Sequence, residues 1–137
     1  MEECIFCKMV NKEILIVPIY EDEQTLAFLD INPASSKGGH TLVISKTHYG
    51  NLIDMSEEDL EAVSRTIKKV SRALLKIYPG LNIMQNNGKE AGQYVMHVHF
   101  HLIPRYEGDG ITIEKWVPQK YAEGQMEEVL EKIKSFL

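Results

Sequence analysis

The chain has 137 residues, of which 44% are hydrophobic and 26% charged, and its formal net charge is -5 at pH 7. This length and composition are typical of a globular domain with a buried core, and we expect residues 1–137 to form one such domain. The acidic balance without a basic run argues against nucleic-acid binding. No apolar run reaches the ~20 residues of a membrane-spanning helix, so a membrane partner is not expected either. The N-terminal "MEECIFCKMV" does not have the pattern of a signal peptide, which favours a cytoplasmic location.

The first half of the chain predicts a short helix followed by three strands. The segment "IFCKMVNKE" is the candidate helix, with Ile5, Phe6 and Met9 on one side. The runs "IVPIYED" and "TLAFLD" are strand-like and close enough to pair as a hairpin. The loop "INPASSKGG" then precedes the alternating run "HTLVISK", which predicts a third strand.

A long helix dominates the second half. It is predicted from about Glu57 to Tyr78, with Ser56 as its N-cap and Pro79-Gly80 as its stop. Its apolar residues recur every three or four positions and predict one buried stripe: Leu60, Val63, Ile67, Val70, Leu74 and Ile77. Two further strands, "LNIMQNN" and the histidine segment, and a final helix "QMEEVLEKIKSFL" complete the chain. The fold class is therefore α+β, with a mainly antiparallel five-stranded sheet.

The segment "YVMHVHFHLIPRY" carries three histidines at alternating positions. In a strand, His97, His99 and His101 share one face and span roughly 13 Å at about 3.3 Å per residue. A solvent-facing strand is a poor explanation for three such residues. Zinc chelation and catalysis by a neutral imidazole are both compatible with the spacing, which alone does not separate them.

Cys4 and Cys7 form a C-x-x-C motif without a secretory context. This spacing indicates metal binding or redox chemistry rather than a disulfide framework. The motif has no second C-x-x-C or His-x-x-x-His beside it, and it lacks the βαβ surroundings of a thioredoxin-like site.

The pattern "HVHFHLI" resembles the signature of the histidine triad (HIT) superfamily of nucleotidyl hydrolases and transferases. Other segments follow that family in order and approximate spacing: "CIFCKMV", "AFLDINP", "GHTLVISKTH", "NNGKEAGQ" and "HVHFHLIPRY". The likeness covers nearly the whole chain and is strongest to the prokaryotic Hint-like branch. It implies a HIT-like fold and a purine-nucleotide substrate that is cleaved at the α-phosphate.

The resemblance implies separate tasks for the histidines. His99 would attack the α-phosphorus and form a covalent nucleotidyl-histidine, which water then hydrolyses. His101 and His40 would support this step, and Asn86 would help to hold the phosphate and the nucleophile. An imidazole is partly unprotonated near neutral pH, so it needs no metal to act as a nucleophile.

The resemblance also implies the nucleotide-binding residues. Gly92 and Gln93 match the phosphate-side loop, whose backbone N–H groups can donate to an anion. Asp30 matches the carboxylate that accepts the ribose hydroxyls, and Ile31 lies next to it. The apolar walls around the base match Ile5, Phe6, Met9 and Phe28. Two features depart from the family: Tyr94 stands where Ser or Thr is usual, and the loop from Asp30 to His40 is longer than usual.

By the same resemblance, one structural zinc ion per chain is bound by a closed Cys2His2 set: Cys4, Cys7, His48 and His97. Four protein ligands leave no open coordination position for chemistry. His97 would then tie the N-terminal segment to the catalytic strand.

Several alternatives remain open at this point. The candidate substrates are nucleoside phosphoramidates, adenylylated amines and dinucleoside polyphosphates. Asn86 favours the Hint-like substrates, because the Fhit branch carries Gln there. A non-enzymatic purine-nucleotide sensor would use the same pocket. A metallohydrolase would use His97, His99 and His101 as zinc ligands. The branch usually forms homodimers whose sheets join across the interface, with Trp116 a candidate to approach the partner's site.

Overall fold

The computed structural model describes residues 3–113 and 115–137 and contains a five-stranded antiparallel sheet. The strands lie in the order β1-β2-β3-β5-β4. Their bounds are β1 Tyr20–Glu21, β2 Thr25–Leu29, β3 Thr41–Ser45, β4 Gly80–Gln85 and β5 His99–Arg105. The predicted hairpin is confirmed by the pairing of Tyr20 with Ala27, although its first strand has only two residues.

Three α-helices accompany the sheet in the described part of the chain. Their bounds are α1 Ile5–Val10, α2 Glu57–Ile77 and α3 Gln125–Lys134, with 3-10 turns at Leu52–Asp54 and Lys89–Ala91. The α+β class with one long helix, a short N-terminal helix and a C-terminal helix is therefore confirmed. None of the helices in the described ranges is long and apolar enough to cross a membrane.

Both faces of the sheet are covered near its centre. Helix α2 covers one face, where Val63, Val70 and Leu74 belong to the same buried cluster as Ala27, Val43 and Leu102. On the other face, Phe6 of α1 belongs to a second cluster with Leu26, Phe28, Leu42 and Ile44. Because side chains alternate along a strand, β2 and β3 supply residues to both clusters. The histidines of β5 lie on the α1 side.

Helix α2 begins as the sequence predicts and buries most of the predicted stripe. The Ser56 side chain accepts a hydrogen bond from the N–H of Asp59, which satisfies one of the free donors of the first turn. Val63, Val70 and Leu74 are buried, but the prediction for Ile77 is wrong, since it is 72% exposed. Ile77 is the last residue of the helix, and the next residue, Tyr78, packs against the buried cluster instead.

The histidine segment is a strand only in its second part. β5 begins at His99, so the prediction that all three histidines lie in one strand is wrong for His97. The N–H of Val98 donates to the carbonyl of Tyr49, outside the ladder. His97 is nevertheless fully buried, because it turns toward α1 and the loop after β3.

Candidate active site and metal centre

Two rows of side chains place the histidines beside apolar residues on one sheet face. His99 pairs with Ile44 of β3, and His101 pairs with Leu42. Leu42 in turn pairs with Phe28 of β2, so this row runs across three strands. The ring of Phe6 lies 5.2 Å from the ring of His99 and 5.6 Å from that of Phe28. Helix α1 therefore closes the face above the middle histidine.

A first cluster joins α1, the loop after β3 and the segment before β5. It comprises Cys4, Cys7, His48 and His97, whose ligand atoms all lie within 4.8 Å of one another. The Nδ1 atom of His97 lies 3.4 Å from Cys4 Sγ, 3.6 Å from Cys7 Sγ and 3.2 Å from His48 Nδ1. The structure thus brings together the four residues that the sequence assigns to a metal.

The distances in this cluster fit a tetrahedral metal site. Bonds of about 2.0–2.3 Å give a tetrahedron with edges of about 3.3–3.8 Å. Four of the six separations lie near these edges, from 3.2 Å between His48 Nδ1 and His97 Nδ1 to 3.6 Å between Cys7 Sγ and His97 Nδ1, and all six are within 4.8 Å. The outer nitrogen of His97 also has the expected partner, since Nε2–H donates to the Ser45 carbonyl at 2.8 Å. Nδ1 therefore directs a lone pair into the cluster.

The protonation state of Cys7 would respond to a cation bound in this cluster. Burial, followed by the hydrogen bond and the charge of Cys4, raises the pKa of the Cys7 thiol to about 11. A metal cation in the cluster would reverse this effect, because it stabilises the thiolate that binds it. The residues present therefore fit a metal of the zinc type.

His99 is oriented by the backbone of His97. Its Nδ1 lies 2.7 Å from the His97 carbonyl oxygen, which can only accept, so Nδ1 carries the proton. The other nitrogen, Nε2, then has a free lone pair. Burial lowers the pKa of His99, so the ring is neutral at pH 7. His99 thus presents an unprotonated nitrogen.

A second cluster lies where β2 ends and β3 begins. It comprises Asp30, His40 and His101. His40 Nε2 lies 2.9 Å from His101 Nδ1 and 3.8 Å from an oxygen of Asp30. Burial lowers the pKa of His40, and burial with the charges of His99 and His40 lowers that of His101 to about 4. Both rings are therefore neutral at pH 7, and their hydrogen bond joins one donor to one acceptor.

The second cluster does not direct unprotonated ring nitrogens at a common point, as the first cluster does. The backbone N–H of Ala34 donates to His40 Nδ1 at 3.1 Å, so the proton of the neutral ring is on Nε2. That proton occupies the position a metal would need. His99 belongs to neither cluster, so the described residues do not bring His97, His99 and His101 together as one set of ligands.

The residues predicted to surround the nucleoside occupy different environments. Phe6 and Phe28 are buried, and Met9 packs against the same cluster. Ile5 is exposed, and Ile31 is 92% exposed beside Asp30. Exposed Ile31 and partly exposed Asp30 thus lie at the rim of the face that carries His101. Their role in nucleoside binding stays a prediction.

The predicted phosphate-side loop makes its hydrogen bonds internally. The N–H of Gly92 donates to the Lys89 carbonyl, and that of Gln93 donates to the Gly88 carbonyl. The buried side chain of Gln93 accepts from the Gly88 N–H and donates to the Gly50 carbonyl. These two N–H groups are therefore paired within the loop in this conformation, and anion binding by this loop stays a prediction. Asn86 follows β4 directly, and a Cβ at Gly92 would lie 3.7 Å from its amide nitrogen.

Tyr94 and Trp116 are both largely exposed to solvent in the single chain. Tyr94 is 93% exposed and lines a cavity with Cys4, His48 and Met96, next to the metal cluster. At this position, where the family pattern has Ser or Thr, the chain therefore carries a phenol that is exposed to solvent. Trp116 is 74% exposed in the tail before α3.

Sequence reasoning missed the backbone atoms that organise the site. The Ala34 N–H and the carbonyls of Ser45 and His97 set which nitrogen of each histidine is protonated. The residue types do not indicate which backbone groups have this role, since every residue carries backbone groups. Leu42 and Ile44 were also missed as neighbours of His101 and His99, because their positions follow from strand register.

The fold and the site define a class: an antiparallel α+β domain that presents a neutral, oriented histidine between a Cys/His cluster and a second histidine pair. The family model described as "HIT domain" matches residues 11–108 of this chain. An uncharacterised HIT-like protein of Methanocaldococcus jannaschii is 48% identical over 132 residues, covering 96% of this chain and 98% of that protein. The chain therefore belongs to the HIT domain family.

Two further comparisons concern chemistry and metal. The adenosine 5'-monophosphoramidase of Schizosaccharomyces pombe is 44% identical over 102 residues, 74% of each chain. The crystal structure of a zinc-bound histidine triad family protein from Mycobacterium smegmatis matches with a TM-score of 0.74 at 33% identity. That match covers 99% of each chain.

Proposed function

We propose that this protein is a phosphoramidase-like hydrolase that cleaves purine nucleotides at the α-phosphate through a covalent intermediate on His99. The observation that carries the proposal is the hydrogen bond from His99 Nδ1–H to the His97 carbonyl at 2.7 Å. It leaves Nε2 unprotonated and holds the ring in a fixed orientation, as a nucleophile requires. The likeness to an adenosine 5'-monophosphoramidase supports a phosphoramidate as the substrate.

The proposed reaction has two steps. His99 Nε2 attacks the α-phosphorus, the bond from phosphorus to the leaving amine breaks, and the amine departs with a proton taken from solvent. Water then attacks the phosphorus and gives up a proton to solvent, the bond to Nε2 breaks, and the nucleoside monophosphate is released. His101 directs its Nε2–H toward this face and donates to a phosphate oxygen, where charge develops in the transition state. Asn86, at the end of β4, supports the same phosphate.

The nucleoside is proposed to bind along the face covered by α1. Phe6 and Phe28 form an edge-to-face pair beside His99, and Met9 packs against their cluster, which suits an apolar base. Asp30 lies at the rim with an oxygen 3.8 Å from His40 Nε2, where it would accept ribose hydroxyls. Exposed Ile5 and Ile31 would be covered by the nucleotide.

We further propose that the Cys/His cluster holds one structural zinc ion. Zinc would supply a fixed link between α1 and the segment before β5, and it would take no part in bond breaking because all four positions are filled by protein. The same link would fix the His97 carbonyl, which orients His99. A homodimer, a cytoplasmic location and a single domain over residues 1–137 remain predictions from the sequence.

The test is to mix the protein with an adenosine phosphoramidate, quench in base and look for an AMP adduct by mass spectrometry. We expect the adduct on His99 and a loss of about 10⁴-fold or more in kcat for His99→Ala. The matched control is His48→Ala, which lies in the metal cluster and is expected to lower stability before it lowers the chemical step.

The alternatives are separate outcomes of this experiment. Faster cleavage of a dinucleoside polyphosphate would place the enzyme with the polyphosphate hydrolases. Nucleotide binding without turnover would indicate a sensor. Normal turnover by His99→Ala would refute the mechanism, and turnover lost on chelation with the fold intact would favour a metallohydrolase.

A further inference from the structure

Two backbone N–H groups of the loop 31–39 reach the second cluster: that of Asn32 donates to Asp30, and that of Ala34 donates to His40. We propose that the backbone N–H of Ala34 is a positioning group that fixes the tautomers of His40 and His101. This inference deepens the proposed function and rests on it for the role of His101. No side chain of the loop is required for the effect.

The positions of the ring protons on His40 and His101 follow from the Ala34 N–H, which can act only as a donor. The Ala34 N–H can only donate, and it lies 3.1 Å from His40 Nδ1, so Nδ1 accepts. The neutral His40 ring then carries its proton on Nε2, which lies 2.9 Å from His101 Nδ1. His101 Nδ1 must accept, so the proton of His101 is on Nε2. One backbone group thereby decides that His101 offers a donor at the phosphate.

The loop is held firmly enough to keep this donor in place. At its base, the N–H of Asp30 donates to the His40 carbonyl at 2.9 Å. At its tip, the Lys37 ammonium lies 4.3 Å from the centre of the Tyr106 ring, and the Tyr78 hydroxyl donates to the Lys37 carbonyl at 3.4 Å. Contacts on both sides of Ala34 therefore limit its movement.

Without this N–H, His40 Nδ1 loses the hydrogen bond that holds it as an acceptor. His40 could then carry its proton on Nδ1, and the bond between the rings would reverse, with His101 Nδ1 donating to His40 Nε2. His101 would turn an unprotonated nitrogen toward the phosphate, where two lone pairs would repel. The change would raise the transition-state barrier while leaving the apolar wall of the pocket intact.

The experiment replaces Ala34 with L-lactic acid, which exchanges this one N–H for an ester oxygen and keeps the methyl side chain. The matched control places L-lactic acid at Ala122, whose N–H donates to the Gln125 side chain far along the tail. Both full-length, zinc-loaded proteins are compared with wild type by ¹⁵N NMR of the histidine rings and by phosphoramidate kinetics. The NMR measurement needs no turnover.

For the ester at position 34, we expect the His101 proton to shift from Nε2 toward Nδ1. We also expect kcat to fall by about tenfold or more, as for loss of a transition-state donor, with KM nearly unchanged. The ester at 122 should match wild type in both readouts. Unchanged His101 tautomers in the ester at 34 would overturn the inference. If wild type itself does not turn over, the proposed function fails, and the NMR result still decides this inference.

Discussion

His97, His99 and His101 differ in what each ring nitrogen touches. The outer nitrogen of His97 donates to the Ser45 carbonyl, so its inner nitrogen faces Cys4 and Cys7. His99 donates to the His97 carbonyl and keeps a free lone pair, while His101 is paired with His40. A neutral imidazole has one donor and one acceptor, so a single fixed partner decides its chemistry.

A first prediction at this scale concerns the metal centre. Serine in place of Cys4 removes a soft ligand with little change in size, so we expect loss of bound zinc. If wild type is measured at free zinc about a thousand times its Kd, the variant should lose about 4 kcal/mol of unfolding free energy. Thermal unfolding with and without a chelator, together with metal analysis, measures this. A wild type that is zinc-free and insensitive to the chelator would contradict the zinc proposal, and the variant itself should not respond to chelation.

Helix α2 forms where the sequence predicts it, but only part of its predicted apolar stripe is buried. Its apolar stripe and its Ser56 cap are set locally, by spacing and by a side chain that reaches the first turn. Whether a residue of the stripe is buried depends on which neighbours the fold places against it. Val63, Val70 and Leu74 belong to the buried cluster that includes sheet residues, whereas Ile77 stays exposed.

This difference gives a paired prediction within one helix. Leu74 is 7% exposed, so Leu74→Ala leaves a cavity in the core and should cost about 2–5 kcal/mol of unfolding free energy. Ile77→Ala removes a similar side chain from solvent and should change stability by no more than about 0.5 kcal/mol. Chemical denaturation of the two variants measures both values. Equal losses would mean that Ile77 is covered, for instance by a second copy of the chain.

Among the exposed apolar residues that the structure describes, two sets lie where a second copy of the chain could cover them. In α3, Leu130 and Ile133 are exposed, and Phe136 follows them. Strand β4 forms one edge of the sheet, and its Ile83 is also exposed. An unpaired edge strand can join a second sheet through its free N–H and carbonyl groups. These features support the predicted homodimer with joined sheets.

The third prediction tests this assembly. Lysine in place of Ile83 puts a charge on the β4 edge and should convert a dimer to a monomer at micromolar concentration. Val17→Lys is the matched control, because Val17 is also exposed but precedes β1 at the opposite edge. Sedimentation velocity distinguishes the two masses. A dimer that survives Ile83→Lys would require a different interface.

The sequence by itself determined the α+β class, the element order and two candidate motifs of the site. These follow from local periodicity, from capping and turn residues, and from motifs such as C-x-x-C and the alternating histidines. It also predicted that Cys4, Cys7, His48 and His97 belong together, although only through the family resemblance.

The tertiary structure decided what local patterns do not contain. Contacts between distant segments place Ala34 on His40, Ser45 on His97 and Phe6 on His99, and they leave Ile77 in solvent. Proton positions in the site depend on backbone atoms that every residue carries, so only their arrangement in space assigns each histidine its task.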